Sequence, residues 1–499
     1  MSIEIELKLQ ISPKTAKKIA SHPLLSTLKP QKLRLLNTYY DTPGLELHNR
    51  KIAVRFRKKG ELWLLTVKSA EPASGGLAMR SEWETAGTPG NFDFSHVDNL
   101  PLRDFLNQAS QTFEPIFTTD FRRQVWHIPF GVSLIEMAID RGTVESQGKT
   151  APLCEIELEL LSGKVEDIFS LTRALQKDHD LYPAIASKAE RGYKLYLDQP
   201  LIAFRAKPAP VNAEMMPVEA FRSIALGCLE HFQRNELGLQ LNGAPEFIHQ
   251  ARVALRRLRS AIKLFAPVLP PEFVSAYGKT WQTLAGALGD ARNWDVFLDE
   301  TLPPIQATFP SNRDTRYLRE EAKRRAKTAS RAITRVLSVK EYPRLLIEFT
   351  AAIYALSDTL PLPLTDFAHQ QVSSLAKRAK KLAIRHDSLS PEERHAMRIS
   401  FKKLRYSLEF FAPLMPPKHL APYLAALTQL QDELGLINDH VTAETLLNDA
   451  LAKRAAGPIH GWIAGRHNLL VNELPESLDT WLTQRKCWGK KTGDIEKPL

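Results

Sequence analysis

Three charged side chains at alternate positions near the N-terminus are the first residues that could carry chemistry. Glu4, Glu6 and Lys8 are separated by single apolar residues, and a β-strand would place all three on one face, roughly 6.6 Å apart. A second run has the same spacing and consists of three carboxylates, Glu155, Glu157 and Glu159. Carboxylates so placed repel one another unless a cation compensates them, and Mg²⁺ and Mn²⁺ prefer oxygen ligands. The two runs therefore favour a divalent-metal site.

Basic residues alternate in the same way. Arg55 and Arg57 are two positions apart, Lys68 follows on another predicted strand, and Arg80 precedes two further glutamates. A bound phosphate compensates the positive charge of closely spaced Lys and Arg side chains, just as a metal ion compensates the negative charge of carboxylates. For any single strand, an exposed sheet face with cross-strand ion pairs is the alternative. Uninterrupted runs of one sign on several strands favour a site that binds both metal and phosphate.

These motifs lie in a region that has the pattern of a β-structure. Short alternating runs separated by turn residues predict many strands and few helices, which implies a closed antiparallel barrel or a sandwich. The predicted strands are Ile3–Leu9, Lys51–Arg57, Trp63–Lys68, Arg80–Glu84, Arg122–Ile128, Ser133–Ile139 and Cys154–Leu161. The predicted helices are Ser12–His22, Leu100–Ala109 and Lys164–His179.

The second part of the chain has a helical pattern, so the predicted fold class is multidomain α+β, with a β-barrel followed by an all-α bundle. Prolines interrupt the segment between the two patterns. We predict a first domain at residues 1–200, a linker at 201–214, a helical domain at 215–486 and a C-terminal tail at 487–499. Within the helical domain, a motif that begins at His249 recurs from His395, 146 residues later. A constant offset indicates a duplicated helical bundle.

Each copy of this repeat places a histidine and three basic residues along one helix face, with apolar residues on another. Residues 201–499 hold 41 Lys and Arg against 31 Asp and Glu, whereas residues 1–200 hold 26 against 25. A positive helical surface attracts polyanions, although a solvated charged face is the alternative. The repeated positions are His249, Arg252, Arg256, Arg259, His395, Arg398, Lys402 and Arg405.

The sequence disfavours several other classes of protein. It contains no run of about 18 apolar residues for a membrane span, and its N-terminus lacks the apolar core of a signal peptide. We therefore expect a cytoplasmic protein with no membrane partner. The three cysteines are far apart in the sequence and do not suggest a disulfide framework. The sequence also lacks a P-loop motif and a recognisable Ser/His or Cys/His pair.

Taken in order, the motifs of the first 200 residues resemble the CYTH, or triphosphate tunnel metalloenzyme, superfamily. The resemblance implies an eight-stranded antiparallel β-tunnel that acts on triphosphates with a divalent cation, Mg²⁺ or Mn²⁺, as cofactor. The matching motifs are Glu4-x-Glu6-x-Lys8, Arg55-x-Arg57, Lys68, Arg80-x-Glu82-x-Glu84, Arg123-x-x-Trp126, Asp140-x-Gly142, Glu155-x-Glu157-x-Glu159 and Ser187-Lys188-x-x-Arg191.

The resemblance also implies a role for each position. Lys8, Glu6 and Glu157 would take part most directly in the reaction. Arg123 is favoured over its neighbour Arg122 as a tunnel residue. The implied metal ligands are Glu4, Glu6, Glu157 and Glu159, with Asp140 and Glu155 as weaker candidates. The implied phosphate-binding residues are Lys8, Arg55, Arg57, Lys68, Arg123, Lys188 and Arg191.

The helical repeat resembles the CHAD domain over about residues 216–485, and this resemblance implies that inorganic polyphosphate binds to the basic positions. Nucleic acid is a less favoured partner, because the basic helices lack the interleaved aromatic residues of a single-strand platform. A CYTH region followed by a CHAD region implies hydrolysis of inorganic triphosphate to pyrophosphate and phosphate. Thiamine triphosphatase, class IV adenylate cyclase and a polyphosphate-binding module without catalysis remain as alternatives.

Overall fold

The computed structural model describes residues 2–69, 74–241, 243–358, 362–451 and 456–488. The chain divides into two compact units. The first comprises Met1–Ile202 and Val339–Ala355, and the second comprises Ala203–Ser338 and Leu356–Leu499. Of the tail predicted at 487–499, residues 489–499 lie outside the described residues.

Within the described residues, the first unit is built on eight long antiparallel strands. They are β1 (Ser2–Gln10), β2 (Gln31–Asp41), β3 (Ile52–Lys59), β4 (Leu62–Ser69), β5 (Leu77–Ala86), β6 (Glu114–Phe130), β7 (Ser133–Ser146) and β8 (Lys149–Ser162). The sheet order is β5, β4, β3, β2, β6, β7, β8, β1, and β1 also pairs with β5. The sheet therefore closes into a barrel, which confirms the predicted architecture. A two-residue strand, β9 (Tyr182–Pro183), pairs with β1.

The alternation of side chains along each strand separates two environments. In β1, Leu7 and Leu9 are fully buried in an apolar core on the outer face of the barrel, whereas Glu6 and Lys8 form ion pairs in the interior. Helices cover the outer face and supply the other side of its apolar cores. These helices are α1 (Pro13–Ile19), α2 (Glu46–Asn49), α3 (Leu100–Ala109) and α4 (Val165–Gln176). Helix α5 (Lys188–Leu197) instead packs, through Tyr193, against inner-face residues such as Tyr39 and Phe117.

Strand β2 and helix α5 were not predicted from the sequence. The buried face of β2 mixes apolar Leu35 and Tyr39 with polar Asn37 and Asp41, so the strand lacks the uniform apolar face that reveals a half-buried strand. Helix α5 is short, and Lys188 is among its few buried residues. Both elements carry polar groups into the interior, which weakens their hydrophobic periodicity.

Helix α11 (Glu341–Tyr354) belongs to the first unit although the chain reaches it only after five helices of the second. It packs against α4, and its Ile347 is fully buried in the outer core that contains Leu7 and Leu9. The guanidinium of Arg344 donates a 2.8 Å hydrogen bond to the carbonyl oxygen of Gln176. The barrel unit therefore depends on a segment more than 130 residues beyond its last strand.

In the second unit, the described residues form helices and the segments that connect them, with no β-strand. Helix α7 begins at Pro245 and α13 at Pro391, and α8 begins at Pro271 and α14 at Pro417, so both pairs show the offset of 146 found in the sequence. Among the described residues, no helix is both long and apolar enough to cross a bilayer. The helices are α6 (Pro217–Leu241), α7 (Pro245–Leu264), α8 (Pro271–Val296), α9 (Leu302–Thr308), α10 (Arg313–Ser338), α12 (Leu364–Ala383), α13 (Pro391–Phe410), α14 (Pro417–Leu451) and α15 (Gly457–Leu482).

The placement of α11 predicts a large effect of truncating Ile347. Ile347→Ala should lower the free energy of unfolding of the first unit by about 2–5 kcal/mol, because it leaves a cavity in a closed apolar core. Ile384→Ala is the matched control, since Ile384 is 62% exposed and its truncation should change stability by less than about 0.5 kcal/mol. Urea unfolding followed by tryptophan fluorescence measures both, and equal effects would contradict this account of α11.

Candidate active site

Three carboxylates lie close together inside the barrel on the adjacent, hydrogen-bonded strands β7 and β8. Asp140 lies opposite Glu155 in the strand register, and Glu157 follows two positions later on the same face. One oxygen of each lies within 4.8 Å of the others. Asp140 and Glu155 are fully buried. We call these three residues the acidic trio.

Helix α5 and strand β6 bring cations to the acidic trio. The ammonium of Lys188 lies 2.7 Å from Asp140, 2.6 Å from Glu155 and 2.8 Å from Glu157. The guanidinium of Arg123 donates to both oxygens of Asp140, at 2.8 and 2.7 Å, and also contacts Glu157. Burial alone would raise the pKa of the Asp140 and Glu157 carboxyls, but Arg123 and Lys188 outweigh it and lower both pKa values.

A second charged group joins β1 to β4 and β5. Glu4 accepts hydrogen bonds of 2.9 and 2.8 Å from Lys68 and lies 3.3 Å from Arg80. Glu6 contacts both Lys8 and Arg80. Burial disfavours the charged form of Glu4, yet Lys68 and Arg80 more than compensate and lower its pKa to about 2. Glu4 is therefore ionised, and both carboxylates of the first strand have cationic partners.

Glu159 differs from the other carboxylates of the interior. It forms no ion pair with any residue that the structure describes, and its pKa is raised to about 7 by burial and by the nearby carboxylates Glu4 and Glu136. A carboxyl held among like charges gains most from an added cation. Glu159 thus marks the part of the interior where negative charge is least compensated.

Two arginines of β3, Arg55 and Arg57, also lie in the barrel interior, on the side opposite the carboxylates of β7 and β8. Arg55 donates a 3.1 Å hydrogen bond to the hydroxyl of Tyr39, and Arg57 donates one of 2.9 Å to the side-chain oxygen of Asn37. Burial, followed by repulsion from Arg55 and Arg123, lowers the pKa of Arg57 to about 10. Arg57 is therefore a cation that a bound anion would stabilise.

The barrel interior brings together all the candidate metal and phosphate ligands of the first domain. Lys8 lies 3.7 Å from Glu157, and Arg191 of α5 lies 3.2 Å from Glu155. Arg122 is exposed, whereas Arg123 reaches the acidic trio. Asn37, Tyr39 and Asp41 are buried polar residues of β2 that were not predicted as site residues, because β2 itself was not predicted.

The donor chemistry of the acidic trio fits a hard divalent cation. All of its oxygens are carboxylate oxygens, which Mg²⁺ and Mn²⁺ prefer. Both oxygens of Glu155 are buried without a hydrogen-bond partner, although Lys188 and Arg191 lie within ion-pair distance of them. The contacts satisfy the charge of Glu155 but not its hydrogen-bonding geometry, so oxygen sites remain for a metal.

The second unit holds a separate group of cations. Helices α7 and α13 pack against each other, and burial with mutual repulsion lowers the pKa of Arg252 to about 10 and that of Lys402 to about 6. Arg256 and Arg398 are among the repelling neighbours of both. We call these four residues the basic cluster. Asp439 of α14 is a nearby carboxylate that partly offsets the repulsion.

The remaining candidates of the second unit lie differently. The pKa of His249 is lowered by burial and then by Arg292 of α8, Arg256 and Arg252, which places it beside the basic cluster. Arg405 lies 3.6 Å from Glu409, within its own helix. His395 is exposed, and the pKa of Arg259 is lowered by burial alone. The repeat therefore does not place all eight positions in one group.

Comparison with known proteins finds two domain families. Residues 2–193 match the CYTH domain and residues 223–448 match the CHAD domain. An inorganic triphosphatase from Haemophilus influenzae is 38% identical over 197 residues, which are 38% of this chain and 54% of the relative. The chain thus spans about half the length of that relative.

Solved structures resemble each part. The CHAD domain from the plant Ricinus communis is 32% identical, with a TM-score of 0.49, over 56% of this chain and 96% of that structure. A putative adenylyl cyclase from Hippeastrum with a dominant triphosphatase activity is 19% identical, with a TM-score of 0.32, over 40% of this chain and 97% of that structure.

The acidic trio predicts a metal-dependent rescue of stability. Lys188→Met leaves buried carboxylates without their main cation, so it should lower the free energy of unfolding of metal-free protein by about 3–5 kcal/mol. Saturating Mn²⁺ should then raise the melting temperature of this variant more than that of the unsubstituted protein. Lys194→Met, at an exposed position of the same helix, should leave both quantities unchanged. A variant that Mn²⁺ does not stabilise would contradict the metal assignment.

Proposed function

We propose that this chain, which joins a CYTH domain to a CHAD domain, hydrolyses inorganic triphosphate to pyrophosphate and phosphate inside its N-terminal barrel. The observation that carries the proposal is the opposition of buried cations and buried carboxylates within one closed barrel. A triphosphate has several anionic oxygens along a short chain, which suits closely spaced Lys and Arg side chains. The inorganic triphosphatase that is 38% identical supports the same substrate class.

The cations of the interior would bind the phosphate chain and stabilise the charge that develops in the transition state. Arg55 and Arg57 face the substrate from β3, and Arg123 and Lys188 from the side of the acidic trio. In the free protein, Arg123 and Lys188 pair with carboxylates. If those carboxylates held a metal, Arg123 and Lys188 would be free to contact phosphate oxygens.

The acidic residues would hold the metal and orient the attacking water. The candidate ligands are Glu4, Glu6, Asp140, Glu155, Glu157 and Glu159. A bound Mg²⁺ or Mn²⁺ supplies Lewis-acid stabilisation of the phosphate oxygens and lowers the pKa of a bound water. Lys8 lies between Glu6 and Glu157, where it can contact both the substrate and its metal ligands.

A substrate screen tests this proposal. Phosphate release from inorganic triphosphate should exceed release from pyrophosphate, ATP, thiamine triphosphate and long-chain polyphosphate, with either Mg²⁺ or Mn²⁺ required. The interior offers charged groups along its length, and inorganic triphosphate is the substrate that needs no further pocket. Preference for thiamine triphosphate, or release of cyclic AMP from ATP, would assign the barrel to another activity.

Substitution of a metal-ligand candidate gives a second test. Glu6→Gln should lower turnover of triphosphate by at least about tenfold, because it removes a hard ligand while keeping the side-chain volume. Glu166→Gln is the control, since Glu166 is exposed at the start of α4, outside the barrel. Circular dichroism should show both variants folded. Unchanged turnover of Glu6→Gln at saturating Mg²⁺ would remove Glu6 from the ligand set.

We also propose that the basic cluster of the helical unit binds inorganic polyphosphate. The supporting observation is that Arg252 and Lys402 are destabilised as cations in the free protein. A polyanion relieves that repulsion and binds several of the cations at once. The affinity should therefore fall as salt concentration rises, since the attraction is screened over about 8 Å at physiological ionic strength.

The pKa of Lys402 predicts proton uptake on binding. With a pKa of about 6, Lys402 is mostly neutral at pH 8, and a bound polyanion favours its charged form, so binding should take up as much as about one proton and weaken as pH rises above 6. Calorimetry in buffers of different ionisation enthalpy measures this uptake. Lys402→Arg should abolish the proton uptake and retain binding. Lys418→Arg, at an exposed position of α14, should retain both the proton uptake and binding. Identical uptake in both variants would contradict the role of Lys402.

A further inference from the structure

Strand β2 holds three polar side chains inside the barrel at every second position. Asn37, Tyr39 and Asp41 are 0%, 3% and 0% exposed. Their spacing places all three on the inner face of the strand. None of them is among the candidate metal ligands or the cations that would bind phosphate. Buried polar groups without such a role require another account of why they occupy the site.

Asn37 and Tyr39 each hold one arginine of the neighbouring strand. The Asn37 side-chain oxygen accepts from Arg57 at 2.9 Å, while its amide group donates to the Thr119 hydroxyl at 2.9 Å. The Tyr39 hydroxyl accepts from Arg55 at 3.1 Å. The Tyr39 ring is itself stacked on Phe117, with 4.4 Å between ring centroids. Both acceptors therefore have fixed positions.

Asp41 holds a different element of the site. One of its oxygens accepts a 2.8 Å hydrogen bond from the Tyr193 hydroxyl of α5, and the same carboxylate accepts from the backbone N–H groups of Leu47 and His48 at 2.9 Å. Helix α5 carries Lys188 and Arg191, which reach the acidic trio. Asp41 thus ties the helix that carries these cations to the strand that orients Arg55 and Arg57.

We propose that the inner face of β2 is a positioning surface, which fixes Arg57 through Asn37, Arg55 through Tyr39 and helix α5 through Asp41, before the phosphate chain binds. This inference rests on the proposed function, because it assigns those cations to phosphate. Long cationic side chains lose conformational freedom on binding, and prior ordering reduces that loss. Asn37, Tyr39 and Asp41 are therefore positioning residues.

The chemical type of the acceptors supports this role. Asn37 and Tyr39 are neutral, so they orient a guanidinium without cancelling its charge. A carboxylate in the same place would form a stronger pair with the arginine but would compete with phosphate for it. The carboxylates nearest to these arginines, Glu82 and Glu84, lie farther away, each at 3.8 Å. Asp41 is the acidic residue of the proposed positioning surface. It accepts hydrogen bonds from neutral donors and does not pair with either arginine.

Two neighbouring tyrosines provide a matched test. Tyr39→Phe removes the acceptor of Arg55 and keeps the stacked ring, whereas Tyr40→Phe removes a hydroxyl from the opposite face of β2, where the ring packs against Phe56 and Phe92. Tyr39→Phe should raise KM for inorganic triphosphate by at least about tenfold and change kcat by less than about threefold, as expected for loss of a hydrogen bond to a charged group. Tyr40→Phe should change neither.

A double-mutant cycle shows whether Tyr39 acts through Arg55. In an Arg55→Met background, Tyr39→Phe should change KM by less than about twofold, because the group that it orients is already gone. A purely structural effect of Tyr39 would persist in that background. Full additivity of the two substitutions would therefore overturn the positioning role.

Asn37→Asp tests the importance of a neutral acceptor. The carboxylate can still accept from Arg57, so the melting temperature should stay within a few degrees of that of the unsubstituted protein. Calorimetric binding of triphosphate should nevertheless weaken by at least about tenfold, since the new charge competes for Arg57. Equal affinity of this variant and the unsubstituted protein would overturn the proposal. Unsubstituted protein that binds triphosphate but does not hydrolyse it would instead refute only the proposed function, and protein that does not bind it would refute both.

Discussion

Charge compensation inside a closed barrel is the constraint on which the rest of the first unit depends. Removing an isolated charge from water costs several kcal/mol, so buried ions persist only with partners of opposite sign. Lys188 serves three carboxylates at once, and Arg123 serves two. Because closure gives every strand two neighbours, the facing charges are held at contact distance. Under the proposed function, a metal and a phosphate chain would replace these internal partners.

The second unit applies the opposite arrangement. Its basic cluster gathers cations on two packed helices, where Asp439 offsets only part of their repulsion, and burial together with that repulsion lowers the pKa of Lys402 to about 6. Internal pairing stabilises the barrel site in the absence of ligand, whereas the basic cluster stays poorly compensated. Under the proposed function, polyphosphate would supply the missing negative charge there. On that proposal, the barrel would exchange its internal ion pairs for ligand contacts, whereas the basic cluster would gain ion partners that it lacks.

Much of the candidate site could be predicted from the sequence because its residues are charged and alternate with a period of two. The runs that begin at Glu4 and Glu155 needed only strand geometry to place their carboxylates on one face. Asn37 and Tyr39 could not be found in this way, since neutral polar residues in a strand of mixed polarity resemble many ordinary surface positions. Helix α11 was also beyond prediction, because nothing in its local sequence indicates that Ile347 packs on a core formed more than 130 residues earlier.

The sequence by itself determined the strand alternation, the signs of the interior charges and the 146-residue repeat, all of which are local or periodic properties. Only the tertiary structure decided which charges meet. Lys188 reaches the acidic trio because α5 packs against β6 and β7, and Arg57 reaches Asn37 because β2 and β3 pair in one register. Register and helix docking depend on the summed packing of the whole barrel, and a shift of one residue would turn every inner side chain outward.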